Sequence, residues 1–175
     1  MGNWRPTGTV VVLPYDPAWP AAFAALADRV WPAVADLALE LVHVGSTAVP
    51  GLAAKPIIDA DLVIESYEVF PEIVARLAGL GYTHEGDLGI PSREVFGHRL
   101  DDLMDHHLYV CPQDSAELAR HLGLRDHLRH HDADRDRYAR LKLALAARYR
   151  HDVEAYTQAK TGLIEELLMM AGVAT

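Results

Sequence analysis

Residues 57–64 read Ile-Ile-Asp-Ala-Asp-Leu-Val-Ile, two acids set two apart in a run that is otherwise apolar and largely β-branched. Such a run predicts a strand, and residues two apart on a strand project from the same face, about 7 Å from each other along the chain. Asp59 and Asp61 are therefore expected to turn together toward a cleft, while Ile58, Ala60, Leu62 and Ile64 line an opposite, apolar face. Carboxylates placed mid-strand among hydrophobic neighbours are costly to bury unpaired. Two of them side by side repel unless a cation or a proton lies between them. Oxygen-only ligands of this kind suit Mg²⁺ or Mn²⁺ rather than zinc.

A second feature precedes the pair. Gly45-Ser46 stands ahead of Asp59 with twelve residues between. A glycine there lets a ligand approach the backbone, and the turn offers N–H groups and a hydroxyl to a phosphate. Alone, Asp-x-Asp is a weak signal, because many strand ends carry two acids facing water; the Gly-Ser turn at this separation makes the combination more specific. Ser46 has no base of the nucleophile-elbow kind beside it in sequence, so serine hydrolase chemistry is not expected.

The surrounding pattern is α/β and then helical. Asp16-Pro17 predicts a helix N-cap with proline at the first helical position, followed by Ala-rich sequence to about residue 30 and a break or new helix start at Trp31-Pro32. A strand over 39–44 leads into Gly45-Ser46-Thr47 and the Pro50-Gly51 turn. Phe70, Ile73, Val74 and Leu77 at helical spacing predict a helix over 67–80, ended by Gly81. Short strands are expected at 81–84, 93–99 and 106–111. After Pro112 the pattern is helical, over 115–124, 134–150 and 153–170. The expected fold is α/β (α+β), a mixed sheet flanked by helices over about 1–112 and a helical part over about 113–175, packed as one unit.

Length and composition narrow the setting. A chain of 175 residues, half of them hydrophobic, suffices for the core of one domain. No stretch approaches the roughly 20 apolar residues of a membrane span. The start lacks a signal peptide's apolar run and the Ser or Thr of a myristoylation site. Cys111 is the lone cysteine, so no intramolecular disulfide is expected and a cytoplasmic location is the natural reading. The formal charge of −9 argues against general nucleic-acid binding, which needs a positive surface. Yet ten of the 16 Lys and Arg residues lie at or after Arg120. They are either solvated helix faces or a local basic surface for a small phosphorylated ligand.

Within this frame the sequence resembles a known family. His43-Val44-Gly45-Ser46-Thr47-Ala48-Val49-Pro50-Gly51, followed by Ala54-Lys55-Pro56-Ile57-Ile58-Asp59, is similar to the signature of GrpB-like proteins. The likeness continues through Tyr15-Asp16-Pro17-x-Trp19, Arg93-x-x-Phe96, His106-His107, Leu124-Arg125-Asp126-x-Leu128-Arg129, Tyr138-x-x-Leu141-Lys142 and Tyr156-Thr157-x-x-Lys160. That family is assigned to the nucleotidyltransferase fold superfamily, whose core motif is Gly-[Gly/Ser], a spacer, then Asp-x-[Asp/Glu]. The resemblance implies a nucleotidyltransferase-like mixed sheet, with Asp59 and Asp61 holding Mg²⁺ or Mn²⁺ and Gly45, Ser46 and Thr47 meeting a nucleotide triphosphate. The family has no general activity to carry over.

In that fold a third carboxylate on a neighbouring strand completes the site. If Leu108 and Val110 face the core, then Asp105, His107, Tyr109 and Cys111 face the other way, which makes Asp105 or His107 the third-position candidate. Tyr109 stands where the family tends to show a second histidine. Lys55, Arg93, Arg125 and Lys142 are the phosphate candidates, Lys55 equally readable as an exposed strand-start lysine and the other three as structural ion pairs; Arg125-Asp126 in particular could knit the helical part to the sheet. His98, His106 and His107 add no softer metal centre, since His106 and His107 point to opposite strand faces. His127, His130 and His131 have the spacing of a helical metal site, but their Arg/Asp-rich surroundings predict solvated residues. Cys111 is expected to be a buried strand residue. Three readings follow: a metal-dependent nucleotidyltransferase acting on a small molecule, a nucleotide- or phosphometabolite-binding pseudoenzyme, and an enzyme reusing the cleft for non-nucleotidyl chemistry. Oligomeric state is not legible.

Overall fold

A computed structural model describes residues 8–98 and 100–173. Helix α1 (Trp19–Val34) starts later than the Asp-Pro signal implies. The Asp16 carboxylate accepts the Ala18 N–H at 2.8 Å, and Pro20, not Pro17, sits in the first turn, where no intrahelical donor is lost. The break expected at Trp31-Pro32 does not occur. Pro32 falls in the last turn, and the Ala35 N–H still closes onto Trp31 O at 2.9 Å. Pro32 forfeits the one bond that an N–H at that position would make to the carbonyl of Asp28, and the helix still runs on to Val34.

Five strands follow, β1 (Ala38–Val44), β2 (Ile58–Ile64), β3 (Tyr82–Gly86), β4 (Glu94–His98) and β5 (His106–Pro112), in the spatial order β1-β2-β5-β4-β3. β2 runs parallel to β5; the other neighbours are antiparallel. Arg99, the end of the strand expected over 93–99, lies outside the described residues. The helix expected over 67–80 begins as a short 3-10 turn, Tyr67–Val69, and becomes α2 at Phe70–Gly79. Ser66 sets its start by accepting the Glu68 N–H at 3.3 Å. The mixed sheet with flanking helices agrees with the expected fold class.

The two faces of β2 are as different as the sequence implies. Ile58, Ala60, Leu62 and Ile64 pack with Leu108 and Val110 of β5, Phe96 of β4 and Val30, Val34, Ile73 and Leu77 of α1 and α2. Each large side chain buried there contributes about 1.5–3 kcal/mol. His106 faces this side, away from His107. Its Nδ1 donates to Met104 O at 2.8 Å, leaving Nε2 to accept the Tyr82 hydroxyl at 2.7 Å. His98 stacks on it with ring centroids 3.7 Å apart, takes the Leu100 N–H at Nδ1 and donates from Nε2 to His106 O. Both rings are thereby fixed as neutral tautomers.

The other face of β2 meets the helical part. The expected helix over 115–124 extends through the Arg/Asp-rich stretch as α3 (Ala116–His130), capped by the Ser115 hydroxyl on the Leu118 N–H at 3.3 Å. Leu118 and Leu122 of α3 pack on Val42, Val44, Val63 and the buried Cys111. Helix α4 is Asp132–Arg148, and the single helix expected over 153–170 is two, α5 (Val153–Ala159) and α6 (Thr161–Met170), interrupted at Lys160. His127 is not solvated. It is buried, donates to Asp134 of α4 at 2.7 Å and stacks on His131, fastening one helix to the next. No helix among the described residues is long and apolar enough to cross a membrane.

Candidate functional site

The site begins where β1 ends. Gly45 adopts φ 70° and ψ −169°, a conformation essentially closed to residues with a side chain. A Cβ there would also collide with the Asp59 carboxylate. Glycine is thus required twice over, and it brings the turn against the acid strand. The short 3-10 turn Ser46–Ala48 follows. Thr47, expected to meet a ligand, is turned inward: its buried hydroxyl donates to Ile57 O at 3.4 Å and accepts His43 Nε2–H at 2.9 Å. Burial holds the His43 imidazole down at about 4, so it stays neutral and keeps that bond. Thr47 and His43 brace the turn; Gly45 and Ser46 present it.

Asp59 and Asp61 share a face, as expected, but not an environment. The Asp59 side chain keeps 28% exposure and lines the cleft, its Oδ1 accepting from His107 Nδ1 at 2.8 Å. Burial pulls its pKa upward, and the His107 bond with the charges of His107, His121 and Lys55 outweighs that, so it lies below the ordinary value. Asp61 is fully buried. Its Oδ2 accepts from His121 Nδ1 of α3 at 2.8 Å, and its Oδ1 is buried with no hydrogen-bond partner. Burial dominates there and holds the Asp61 pKa above the usual value. His121 Nε2 reaches Glu117 Oε1 at 3.3 Å. With both ring nitrogens donating to carboxylates, His121 is an imidazolium; burial opposes the charge, but the two carboxylates overcome it and raise the pKa to about 9.

Of the two third-position candidates, His107 stands at the acid pair and Asp105 does not. In the sheet register His107 stands opposite Asp59 and Tyr109 opposite Asp61. His107 is at the acid pair as expected. Asp105 is exposed, just ahead of β5, away from Asp61. Beside Asp61, the Arg93 guanidinium lies 4.8 Å from the centroid of the Tyr109 ring. The third carboxylate nearby is Glu117, which comes from a helix and reaches the pair through His121. Among the described residues no three His, Cys, Asp or Glu side chains form a group able to hold an ion unaided. The donors do fit a divalent cation that arrives with a phosphate. Mg²⁺ is commonly held by one or two carboxylates together with phosphate oxygens, and the orphaned Asp61 Oδ1 is an acceptor still unused.

Facing the acids across a cleft of about 580 Å³ is a basic wall built by the helical part. Lys142 of α4 is 2% exposed and donates from Nζ to Ser46 Oγ at 2.9 Å, lying over the Tyr138 ring at 4.6 Å. Lys160, at the break between α5 and α6, lies over the Tyr156 ring at 4.4 Å, with Lys55 on the same ring at 6.0 Å. Among the described residues none of these ammonium groups has a carboxylate within 4 Å. Burial, reinforced by Lys160, pushes the Lys142 pKa well down; burial and Lys55 bring Lys160 to about 8. Arg125 is the structural tie that its neighbouring acid suggested: it chelates Asp126 and donates to His43 O at 3.0 Å, pinning α3 to β1. Arg120 lines the cleft but is held by Glu165 at 2.5 Å.

Gly45, Ser46, Lys55, Asp59, Arg93, His107, Arg125 and Lys142 thus all border one cleft, with Asp61 beneath its floor. Sequence reasoning passes over His121 and Glu117 and the places of Lys160, Tyr138 and Tyr156 along the cleft. The Glu-x-x-x-His step of α3 is a local signal that would have drawn attention to His121. The partner of the Ser46 hydroxyl is absent nearby in sequence and present in space, as the Lys142 Nζ that donates to it.

With this geometry in place, comparison with known proteins is direct. The profile of the GrpB protein family matches residues 9–169. The UPF0157 protein BH1888 of Halalkalibacterium halodurans is 37% identical over 174 residues, covering 98% of this chain and 87% of its own. The UPF0157 protein PA4798 of Pseudomonas aeruginosa is 42% identical, with 95% and 69% covered. The crystal structure of the conserved protein GrpB from Enterococcus faecalis superposes with a TM-score of 0.82 at 30% identity, over 92% of this chain and 96% of that one.

Proposed function

The chain belongs to the GrpB family, and from that premise we propose that it binds a nucleoside triphosphate in the cleft between sheet and helical part and transfers the nucleotidyl group to a small-molecule acceptor. The observation that carries this reading is the charge imbalance of the cleft. Its acids have imidazole partners, whereas Lys142, buried beside the Gly-Ser turn, and Lys160, half-buried on the Tyr156 ring, have no carboxylate to match them. A buried ammonium without a counter-ion is costly, and a polyphosphate supplies the missing charge.

In this reading Gly45 admits the phosphate chain to the backbone, and Ser46 with Lys142 receives its terminal oxygens. Lys160, Lys55 and Arg93 supply charge along it. Asp59 and Asp61 would hold Mg²⁺ or Mn²⁺, which when bound neutralises phosphate charge. The acceptor oxygen attacks the α-phosphorus, the bond from that phosphorus to the β-bridging oxygen breaks, pyrophosphate leaves, and the acceptor's proton passes to the Asp59 carboxylate. His107 is a positioning residue, holding that carboxylate by one oxygen. A second reading, binding without transfer, draws on the Arg93–Tyr109 stack beside Asp61, where the resemblance implied a histidine, and on the absence of a third carboxylate on β5 at the pair.

Pyrophosphate decides between them. The protein is incubated with each nucleoside triphosphate, Mg²⁺ or Mn²⁺ and an acceptor panel, and binding and pyrophosphate release are followed in wild type, Asp59→Asn and Asp61→Asn. Release by wild type alone supports transfer. Binding with no release across the panel selects the pseudoenzyme, and absence of any nucleotide affinity removes both.

A further inference from the structure

A second cavity, of about 410 Å³, shares a wall with the nucleotide cleft at Lys55, Ile57 and His107. It lies at the β3–β4 end of the sheet and is lined by Glu85, Val95, Phe96, Gly97, His98 and Asp105, among others. We propose that this cavity is the acceptor subsite and that it takes a small hydroxylated amine, whose ammonium group is held by Glu85. The identification as an acceptor rests on the nucleotidyl-transfer reading; the amine site itself does not.

The local backbone is arranged to deliver that carboxylate. β3 and β4 pair as Thr83↔Gly97 and His84↔Phe96, then slip, so that Gly86 meets Val95 and Glu85 is the extra residue. A bulge of this kind re-aims a side chain, and such irregularities are enriched beside active sites. Gly97 opposite makes the space: any Cβ there would collide with the Glu85 carboxylate. The register of β4 against β5 pairs Val95 with Tyr109, which puts Val95 and Gly97 on the sheet face of Asp59 and His107. Glu85 therefore reaches the face of the acid pair, not the apolar core.

The chemistry of the cavity selects a cation. Glu85 Oε2 is buried without a hydrogen-bond partner, and among the described residues no cation is ion-paired to Glu85. Asp105 adds a second carboxylate at the mouth. Of the imidazoles in the lining, His98 and His106 do not compete, since their nitrogens are committed to Leu100, Tyr82 and the backbone of residues 104 and 106, and His107 is turned to Asp59 through Nδ1. A buried carboxylate with an unused oxygen gains most from a charge-assisted N–H donor. An ammonium anchored there leaves the ligand's hydroxyl end toward the shared wall, where His107 stands with its Nδ1 on Asp59 of the neighbouring cleft.

The test is binding without nucleotide, using glucosamine with glucose as its uncharged counterpart, followed by calorimetry and ligand-observed NMR. Wild type is expected to prefer glucosamine by about tenfold or more, the worth of one charge-assisted bond. Glu85→Gln should erase that preference, and so should Gly97→Ala, which displaces the carboxylate while leaving it charged. Lys142→Met, which strikes only the nucleotide wall, should retain the preference, so failure of the nucleotide reading and failure of this one are told apart. Equal affinity for the two sugars, or a preference that survives both Glu85→Gln and Gly97→Ala with their melting temperatures unchanged, overturns the proposal.

Discussion

The floor and the wall of the cleft bury their charges to similar depth and treat them in opposite ways. On the floor, Asp61 is fully buried and Asp59 largely so, and each is met by an imidazole. On the wall, Lys142 is as deeply buried, yet its company is a serine hydroxyl and an aromatic ring. The difference separates stability from function. The floor is compensated within the fold, so its charges help to hold α3 onto β2. The wall is left uncompensated, so its charges cost stability, and in the proposed function an anion would offset that cost.

The largest expected effect lies on the floor. His121→Ala removes the partner of Asp61 and leaves a carboxylate in a dry site, which typically costs about 3–5 kcal/mol. Lys142→Met removes a charge that has no partner, and the melting temperature is expected to hold or rise. Denaturant titration of the two variants checks the contrast; a destabilisation by Lys142→Met equal to that of His121→Ala would break it.

The pH dependence of stability sharpens the same contrast. The His121 pKa is raised from 6.5 in the unfolded chain to about 9. Its contribution is therefore whole below about 6.5 and is lost as the pH climbs through 9, up to about 3 kcal/mol at 1.36 kcal/mol per unit. His106, lowered from 6.5 to about 4 by burial, behaves inversely: its contribution is whole above 6.5 and is lost as the pH falls through 4. Stability is expected to peak near neutrality and fall on both sides. In His121→Ala the alkaline decline should flatten while the acid decline persists, a result readable from melting temperatures between pH 4 and 10.

Much of this was legible in the sequence, for a physical reason. Alternation at period two is a local property, so the apolar and acidic faces of β2 and the divergence of His106 from His107 could be read from adjacent residues. Gly45 could be read too, because a ligand-admitting turn demands glycine. What could not be read is pairing at a distance. The bonds of His121 to Asp61 and of Lys142 to Ser46 join residues 60 and 96 positions apart, and no periodicity encodes them. Thr47 borders the cleft with the rest of its motif, but only the fold shows its hydroxyl bonded to His43 and Ile57. The interruption at Lys160 did leave a local trace, since Thr161 and Gly162 directly after it are poor helix formers, but the apolar pattern running on to Met170 masked it.

A smaller effect belongs to the wall. Lys142→Met is expected to weaken inorganic triphosphate binding by about 30-fold, near 2 kcal/mol for one charge-assisted bond. Ser46→Ala removes only the hydroxyl partner and should cost about tenfold or less. Calorimetry with triphosphate alone separates this from any contribution of base or sugar. An unchanged affinity in Lys142→Met would mean that the ammonium is buried for some purpose other than anion binding.

The smallest effect is the most specific to the arrangement. Burial and the neighbouring Lys55 bring Lys160 to about 8, so between pH 7 and pH 9 the unliganded protein goes from mostly charged to mostly neutral at that amine. A bound polyphosphate stabilises the ammonium, so binding above pH 8 must also take up a proton. Affinity for triphosphate is expected to fall by up to about tenfold per unit of pH above 8, the limit for one linked proton. Calorimetry at pH 9 in buffers of different ionisation enthalpy would register that proton directly. In Lys160→Arg, whose guanidinium stays charged throughout, the Lys160 component of the decline should disappear. If proton uptake is the same in wild type and Lys160→Arg, the titrating group is elsewhere on the wall, and Lys142, whose pKa is also pushed down, becomes the one to substitute.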